Sequence, residues 1–241
     1  HNNREDISKD KMIGTTCPNT NSKFISLNKK DEILNEFCIK KDNIFFTKVG
    51  SYSKEDIGSN CYHSKLNALE LFLHHYLDTK EDISIIDSTA GVDILGTSLF
   101  MSYDFLCFVV EPTLKSVQVC KDFLKKFESE ELLQTKVCVI GNKIIDETDT
   151  LFIEEQLSNT ISNFFYIKHH QLFRRIEKGE EIQLSEIVKE LDSNLSDISN
   201  YFNSHYSKDW NLYKKKLTHL HCKISKDWYN DYYGEDISKL D

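Results

Sequence analysis

The chain has 241 residues, 39% of them hydrophobic, and carries 30 Lys and Arg against 39 Asp and Glu, a net charge of −9. That length fits one large domain or two small ones, and the acidic balance excludes a general nucleic-acid binder, which needs a basic footprint. With no run of 18 apolar residues, no membrane-spanning helix is expected. In chain order, the runs Ile44 to Val49, Ile83 to Ile86, Phe105 to Val110, Val137 to Ile140 and Phe164 to Ile167 read as strands. Runs that are apolar on both faces suit the centre of a parallel sheet.

Helical patterns separate these runs. Leu66, Leu69, Phe72, Leu73, Tyr76 and Leu77 recur at helical spacing, with Ser64 placed to cap them. Val117, Cys120, Phe123, Leu124 and Phe127 repeat the pattern, and Leu151 to Ile161 is a third helix. Strand–helix alternation with short links predicts an α/β fold, a mostly parallel sheet flanked by helices. From Leu184 onward only helical patterns remain, rich in Asn, Ser, Lys and aromatic residues. There Ser207-Lys208-Asp209-Trp210 recurs as Ser225-Lys226-Asp227-Trp228. On one continuous helix the two Trp would share a face, either packed on the sheet or docking a partner. The expected division is an α/β domain over residues 1–195 and a helical, aromatic-rich C-terminal extension over 196–241.

The seven cysteines are scattered, and several lie in apolar runs where a reduced thiol acts as a small hydrophobe. A disulfide framework is not expected, and a reducing, cytoplasmic setting is. The polar, charged first ten residues do not read as a secretory signal.

Three stretches carry chemistry. Asp87-Ser88-Thr89-Ala90-Gly91 follows an apolar run directly. A carboxylate at the C-terminal end of a parallel strand lies in the crevice where α/β sheets bind ligands, and Gly91 lets a backbone N–H approach a phosphate. The same residues also make an ordinary capped strand-to-helix turn. In Glu111-Pro112-Thr113, Pro112 cannot extend a central strand and so ends one. Gly141-Asn142-Lys143 ends the next apolar run, either as a polar turn or with the Asn142 amide on a purine edge and the Lys143 stem over the base.

Taken in order, these stretches resemble the deviant-Walker-A branch of P-loop ATPases, the MinD/ParA/nitrogenase-iron-protein group, and within it the CooC-type carbon monoxide dehydrogenase maturation ATPases. The resemblance runs from about Cys17 to Leu191 and rests on Asp87, Gly91, Glu111, Pro112, Thr113, Ser116, Asn142 and Lys143. It implies a P-loop NTPase-like fold that binds ATP and Mg²⁺. Asp87 would hold a magnesium-bound water, Gly91 would sense the γ-phosphate, and Glu111, Pro112, Thr113, Asn142 and Lys143 would border the nucleotide. It also implies a nucleotide-dependent homodimer serving a metalloenzyme client.

Two further segments extend the resemblance with changes. Cys17-Pro18-Asn19-Thr20-Asn21 is similar to the family's switch I stretch, with Cys17 where an Asp is usual. Cys61-Tyr62-His63 stands where CooC-type proteins carry a Cys-x-Cys pair at the dimer interface. Cys61 and His63 from two subunits would make an S₂N₂ set suited to Zn²⁺ or Ni²⁺, against the alternative of a buried Cys and a capping His.

The family's opening KGGxGK(T/S) loop is not in the chain. Gly14-Thr15-Thr16 is a faint echo, with Ile13 in place of the Lys. Either an opening strand–loop–helix segment of roughly forty residues is absent from this chain, or the loop has been lost in nature. Without that loop, most of the electrostatic stabilisation of a transferring phosphoryl group is missing from these residues. An interaction module that keeps the scaffold without hydrolysis is therefore the alternative.

The remaining polar clusters read as structural. Of His74 and His75 on one helix, one is expected to face solvent. His169-His170 reads as a polar loop, and Arg174 to Gly179 as a helix end with Gly at the C-cap. His219 and His221 point apart on a helix and do not suit a shared metal.

Overall fold

Asp31 starts the first helix. Its Oδ1 accepts from the backbone N–H of Ile33 and Leu34 at 3.0 and 3.1 Å, and its Oδ2 accepts from Ser26 N at 3.0 Å. Helix α1 (Glu32–Phe37) is thereby capped and tied to the segment before it. The computed structural model of the chain describes residues 12–27, 30–50, 54, 62–88, 99–127 and 136–226, apart from the side chains of 62–64, 101 and 192. The chain divides into two compact units, His1–Ser102 with Lys208–Asp241, and Tyr103–Ser207.

In the first unit, β1 (Ile39–Lys41) and β2 (Ile44–Phe46) form an antiparallel hairpin. Asp42 supplies the positive φ, 54°, that its two-residue turn needs. The expected strand Ile44 to Val49 is thus shorter and antiparallel, and its partner Ile39–Lys41 was not anticipated. Helix α2 (Tyr62–His74) begins ahead of Ser64, so Ser64 lies within its first turn and is not the cap. Ile25 and Tyr76 form a parallel bridge and pack with Leu34 in a small core closed by Leu27, Ile33, Phe45 and Phe72.

The run Ile83 to Ile86 is not a strand. Its backbone is irregular, and Ile83 and Ile85 are 74% and 91% exposed. An apolar run becomes a strand only where a neighbour pairs with it, and none of the described residues does. Leu99–Ser102 is a short 3₁₀ turn.

The second unit holds a parallel sheet in the order β3 (Phe105–Val110), β4 (Lys136–Ile144), β5 (Phe164–Lys168). The crossovers contain α3 (Leu114–Phe127) and α4 (Glu147–Leu157). Their buried faces meet one side of the sheet, joining Val110, Val117, Cys120, Leu124, Val139, Ile144, Ile153, Leu157 and Ile161 in one core. Each such aliphatic side chain contributes about 1.5–3 kcal/mol by burial. After α5 (Gln171–Glu177), α6 (Leu184–His205) covers the other side of the sheet. There Tyr201 lies 5.2 Å from the Phe165 ring, and Phe202 lies 4.8 Å from the Phe105 ring. A parallel sheet flanked by helices and followed by C-terminal helices is the α/β arrangement expected of a P-loop NTPase-like fold.

Helix α7 (Trp210–Ile224) belongs to the first unit. Asp209 caps it, accepting from Asn211 N and Leu212 N. The chain therefore breaks between α6 and α7 and does not run on as one helix, and Trp228 lies outside the described residues. Lys208 is fixed at the break by Asp78, 2.7 Å away, with both side chains nearly buried, and lies over the Trp210 and Tyr213 rings. His74 and His75 are both buried, at 3% and 2% exposure, against the expectation that one faces solvent. The helix ends at His74, so the opposite-face argument for adjacent helical residues does not reach His75.

Candidate functional site

The site in the second unit is built where β3 and β4 end. β3 stops at Val110, and the next three residues, Glu111, Pro112 and Thr113, turn the chain into α3. Thr113 Oγ1 accepts from Ser116 N at 3.2 Å, and Ser116 Oγ accepts from Glu111 N at 3.0 Å. Thr113 satisfies a backbone donor that the start of α3 leaves open, and Ser116 reaches back past it to the Glu111 N–H. The Ser116 bond fixes the Glu111 backbone at the end of the strand.

Asn142 and Lys143 do not form a turn after the strand, as expected, but lie within β4. The pairing of β4 with β5 slips between Gly141 and Ile144, and Lys143 takes φ +61° in the left-handed region. A residue with a side chain rarely adopts that backbone, so the bulge is a built feature. It turns the Lys143 N–H toward Asn142 Oδ1, at 2.9 Å. That bond fixes the Asn142 amide by its oxygen.

Lys143 Nζ lies 2.6 Å from Glu111 Oε1, with both side chains about half exposed. The hydrogen bond to Glu111 holds the Lys143 ammonium above the ordinary lysine range, helped by the charges of Glu111 and Glu177. Beneath the bulge, Gly141 leaves room for the Tyr166 ring: a Cβ there would lie 2.7 Å from Tyr166 Cδ1 and 3.1 Å from Ile153 Cδ1. Tyr166 donates to Glu154 at 2.6 Å, and Asn194 donates to the Tyr166 carbonyl at 2.7 Å, so the ring beside Gly141 is held from α4 and α6. His170 caps α5 by accepting from Leu172 N and lies 3.3 Å from Glu190. Gly179, at φ +82°, closes that helix as expected.

The other expected site residues fall elsewhere. Asp87 is exposed, on irregular backbone in the first unit, whereas Glu111, Asn142 and Lys143 belong to the second. Gly91 and Cys61 lie outside the described residues. His63 lies in the first turn of α2, with its side chain outside them. Cys17 is buried with its thiol toward Thr15 O and Thr218 Oγ1, and Asn19 folds the following residues into a turn by accepting from Asn21 N. Among the described residues no group of three or more His, Cys, Asp or Glu side chains is placed to hold a metal, and no helix is long and apolar enough to cross a membrane.

Sequence reading missed the Glu111–Lys143 pair and the in-register cysteines Cys107 and Cys138. A signal for the cysteines was present: Cys107 stands four residues before Glu111, and Cys138 four before Asn142.

No protein-family model and no solved structure matches the chain. Three curated proteins do. Over 124 residues, 52% of this chain and 48% of the relative, it is 30% identical to an uncharacterized ATP-binding protein of Methanocaldococcus jannaschii. Over 134 residues, 56% of this chain and 49% of the relative, it is 26% identical to the carbon monoxide dehydrogenase accessory protein CooC of Rhodospirillum rubrum. A second uncharacterized ATP-binding protein of M. jannaschii is 28% identical over 151 residues, 61% of this chain and 57% of the relative. The chain thus spans about half the length of the curated relatives it matches.

Proposed function

We propose that this is a nucleotide-binding protein of the CooC/MinD-like ATPase kind, acting in the cytoplasm. The observation that carries the reading is the constellation at the ends of β3 and β4: Asn142 with its amide oxygen on the Lys143 N–H, Lys143 set in the left-handed region by a bulge and paired with Glu111, and Glu111 N held by Ser116. Ligands of parallel α/β sheets bind beyond the carboxyl ends of the strands. The names of the relatives support ATP as the nucleotide.

In this reading Asn142 donates to a purine acceptor, and the Lys143 stem, with Glu111, Pro112 and Thr113, walls the base. By the resemblance, Asp87 would orient a magnesium-bound water and Gly91 would sense the γ-phosphate. Bound Mg²⁺ would neutralise charge on the phosphate oxygens. By the resemblance, two copies would pair when nucleotide is bound, and Cys61 with His63 from each copy would hold Zn²⁺ or Ni²⁺ for a metalloenzyme client. The donor chemistry of two thiolates and two imidazoles fits either ion.

A second reading, a non-hydrolysing interaction module, is favoured by one observation. Ile39, Ile44 and Phe46 share a face of the β1–β2 hairpin and are 73%, 70% and 58% exposed. An apolar face of this kind suits a protein partner.

Titration calorimetry with Mg-ATP on the full-length natural protein tests the first reading. One site per chain is expected, weakened about tenfold by Asn142→Ala, the cost of one lost hydrogen bond. Absence of Mg-ATP binding retires the nucleotide reading and leaves the module.

A further inference from the structure

Two cysteines meet across the parallel sheet. Cys107 on β3 and Cys138 on β4 are direct register partners, and their sulfurs lie 3.3 Å apart. Residues paired this way in neighbouring strands have the Cα separation a disulfide requires. Alternation along the strands puts both thiols on the side of the sheet that carries Phe105, the side covered by Tyr201 and Phe202 of α6. The Tyr201 hydroxyl is held above its ordinary value, by burial first and then by the two neighbouring thiols. Cys120, on α3, belongs to the core on the opposite side, where burial pushes its thiol up to about 12.

The two thiols are not equivalent. Cys138 is fully buried, whereas Cys107 is partly exposed. The Cys138 S–H donates to the Cys107 sulfur. That bond holds the Cys107 thiol below its ordinary value and raises that of Cys138. Cys107, the less buried residue of the two, thus carries the more readily ionised sulfur, with a second thiol 3.3 Å away, the pairing that thiol–disulfide exchange uses.

We infer that Cys107 and Cys138 are a reversible redox-modification site, converted to an intramolecular disulfide by a low-molecular-weight disulfide. The Cys107 thiolate attacks one sulfur of the small disulfide. That S–S bond breaks, a mixed disulfide forms on Cys107, and one small thiolate leaves and takes up a proton. Cys138 then gives up its proton and attacks the Cys107 sulfur, expelling the second small thiolate, which is protonated. Two protein thiols are oxidised, and one small disulfide is reduced to two thiols. Cys138 needs no exposure, because its target is the sulfur already beside it. The inference stands without the nucleotide reading.

The test equilibrates the purified chain with graded ratios of oxidised to reduced glutathione, quenches with acid, and alkylates under denaturing conditions. Non-reducing peptide mapping by mass spectrometry follows. Two of the seven cysteines are expected to be lost together as one cross-linked peptide pair joining Cys107 and Cys138, and dithiothreitol restores both. Cys138→Ala is expected to stop at a glutathione adduct on Cys107. All seven thiols remaining alkylatable at the most oxidising ratio, or a cross-link through any other cysteine, overturns the assignment. The peptide map of the unaltered chain decides this even if the variant does not fold.

Discussion

The Lys143 ammonium sits on the Glu111 carboxylate at 2.6 Å, joining two motif residues that lie thirty-two positions apart on neighbouring strands. Both side chains are about half exposed, so solvent and salt screen the pair. Glu111→Gln is therefore expected to leave the thermal midpoint unchanged within about 1 °C. Circular dichroism melts at low and high salt check this. A large drop would show that the pair holds β3 and β4 together.

Gly141 is the opposite case. Its Cα faces the Tyr166 ring so closely that a methyl group has no room, and the ring is held by Glu154 at its hydroxyl and Asn194 at its carbonyl. Gly141→Ala is expected to destabilise the chain by about 1–3 kcal/mol, the usual cost of overpacking a core. Gly141→Ala should cost less when introduced into a Tyr166→Val chain than into the unaltered one, because the ring supplies the nearest obstacle, and Ile153 Cδ1 at 3.1 Å should keep some of the cost. Urea unfolding of the single and double variants measures both effects.

His74 sets a pH dependence. Burial lowers its imidazole to about 3 from the ordinary 6.5, with His75 and His221 acting in the same direction and a backbone bond to Gly14 opposing. The folded state keeps the ring neutral, hydrogen-bonded to Ser102 at 2.7 Å. The unfolded chain takes up a proton below pH 6.5 that the folded chain refuses. The contribution of His74 is thus fully present above pH 6.5 and is lost as pH falls toward 3. The slope from this one residue approaches about 1.4 kcal/mol per pH unit. Chemical denaturation at pH 7, 6, 5 and 4 should show the decline, and His74→Gln should flatten it.

The parts of the fold that were legible are those where one signal decides. Phe105 to Val110, Val137 to Ile140 and Phe164 to Ile167 are apolar on both faces because helices cover both faces, and all three became strands. Ile83 to Ile86 carries the same signal yet is irregular, because a local apolar run does not state whether a neighbour pairs with it. The hairpin was half hidden: Ile39-Lys40-Lys41 is too short and too charged to read as a strand. Asn142 and Lys143 looked like a turn because polar residues after an apolar run usually are one. A bulge carried the strand through them instead, shown by the register slip against β5 and the left-handed φ of Lys143. Thr113 and Ser116 were visible as letters of a motif, whereas the hydrogen bonds they accept, from Ser116 N and Glu111 N, show only in the folded chain.

The interrupted first unit has a consequence for how the chain matures. Tyr103–Ser207 is one unbroken stretch, whereas the unit around it is completed only by Lys208–Asp241. Asp78 waits 130 residues for Lys208, and Thr15 waits 206 for His221. As the polypeptide leaves the ribosome, the inserted stretch has all its strands and crossovers while its host still lacks a closing helix. Domains generally fold as units during synthesis. Assembly therefore proceeds from the inside outward, and a chain cut after Ser207 would keep the whole insert while its host lacked the segment that completes it.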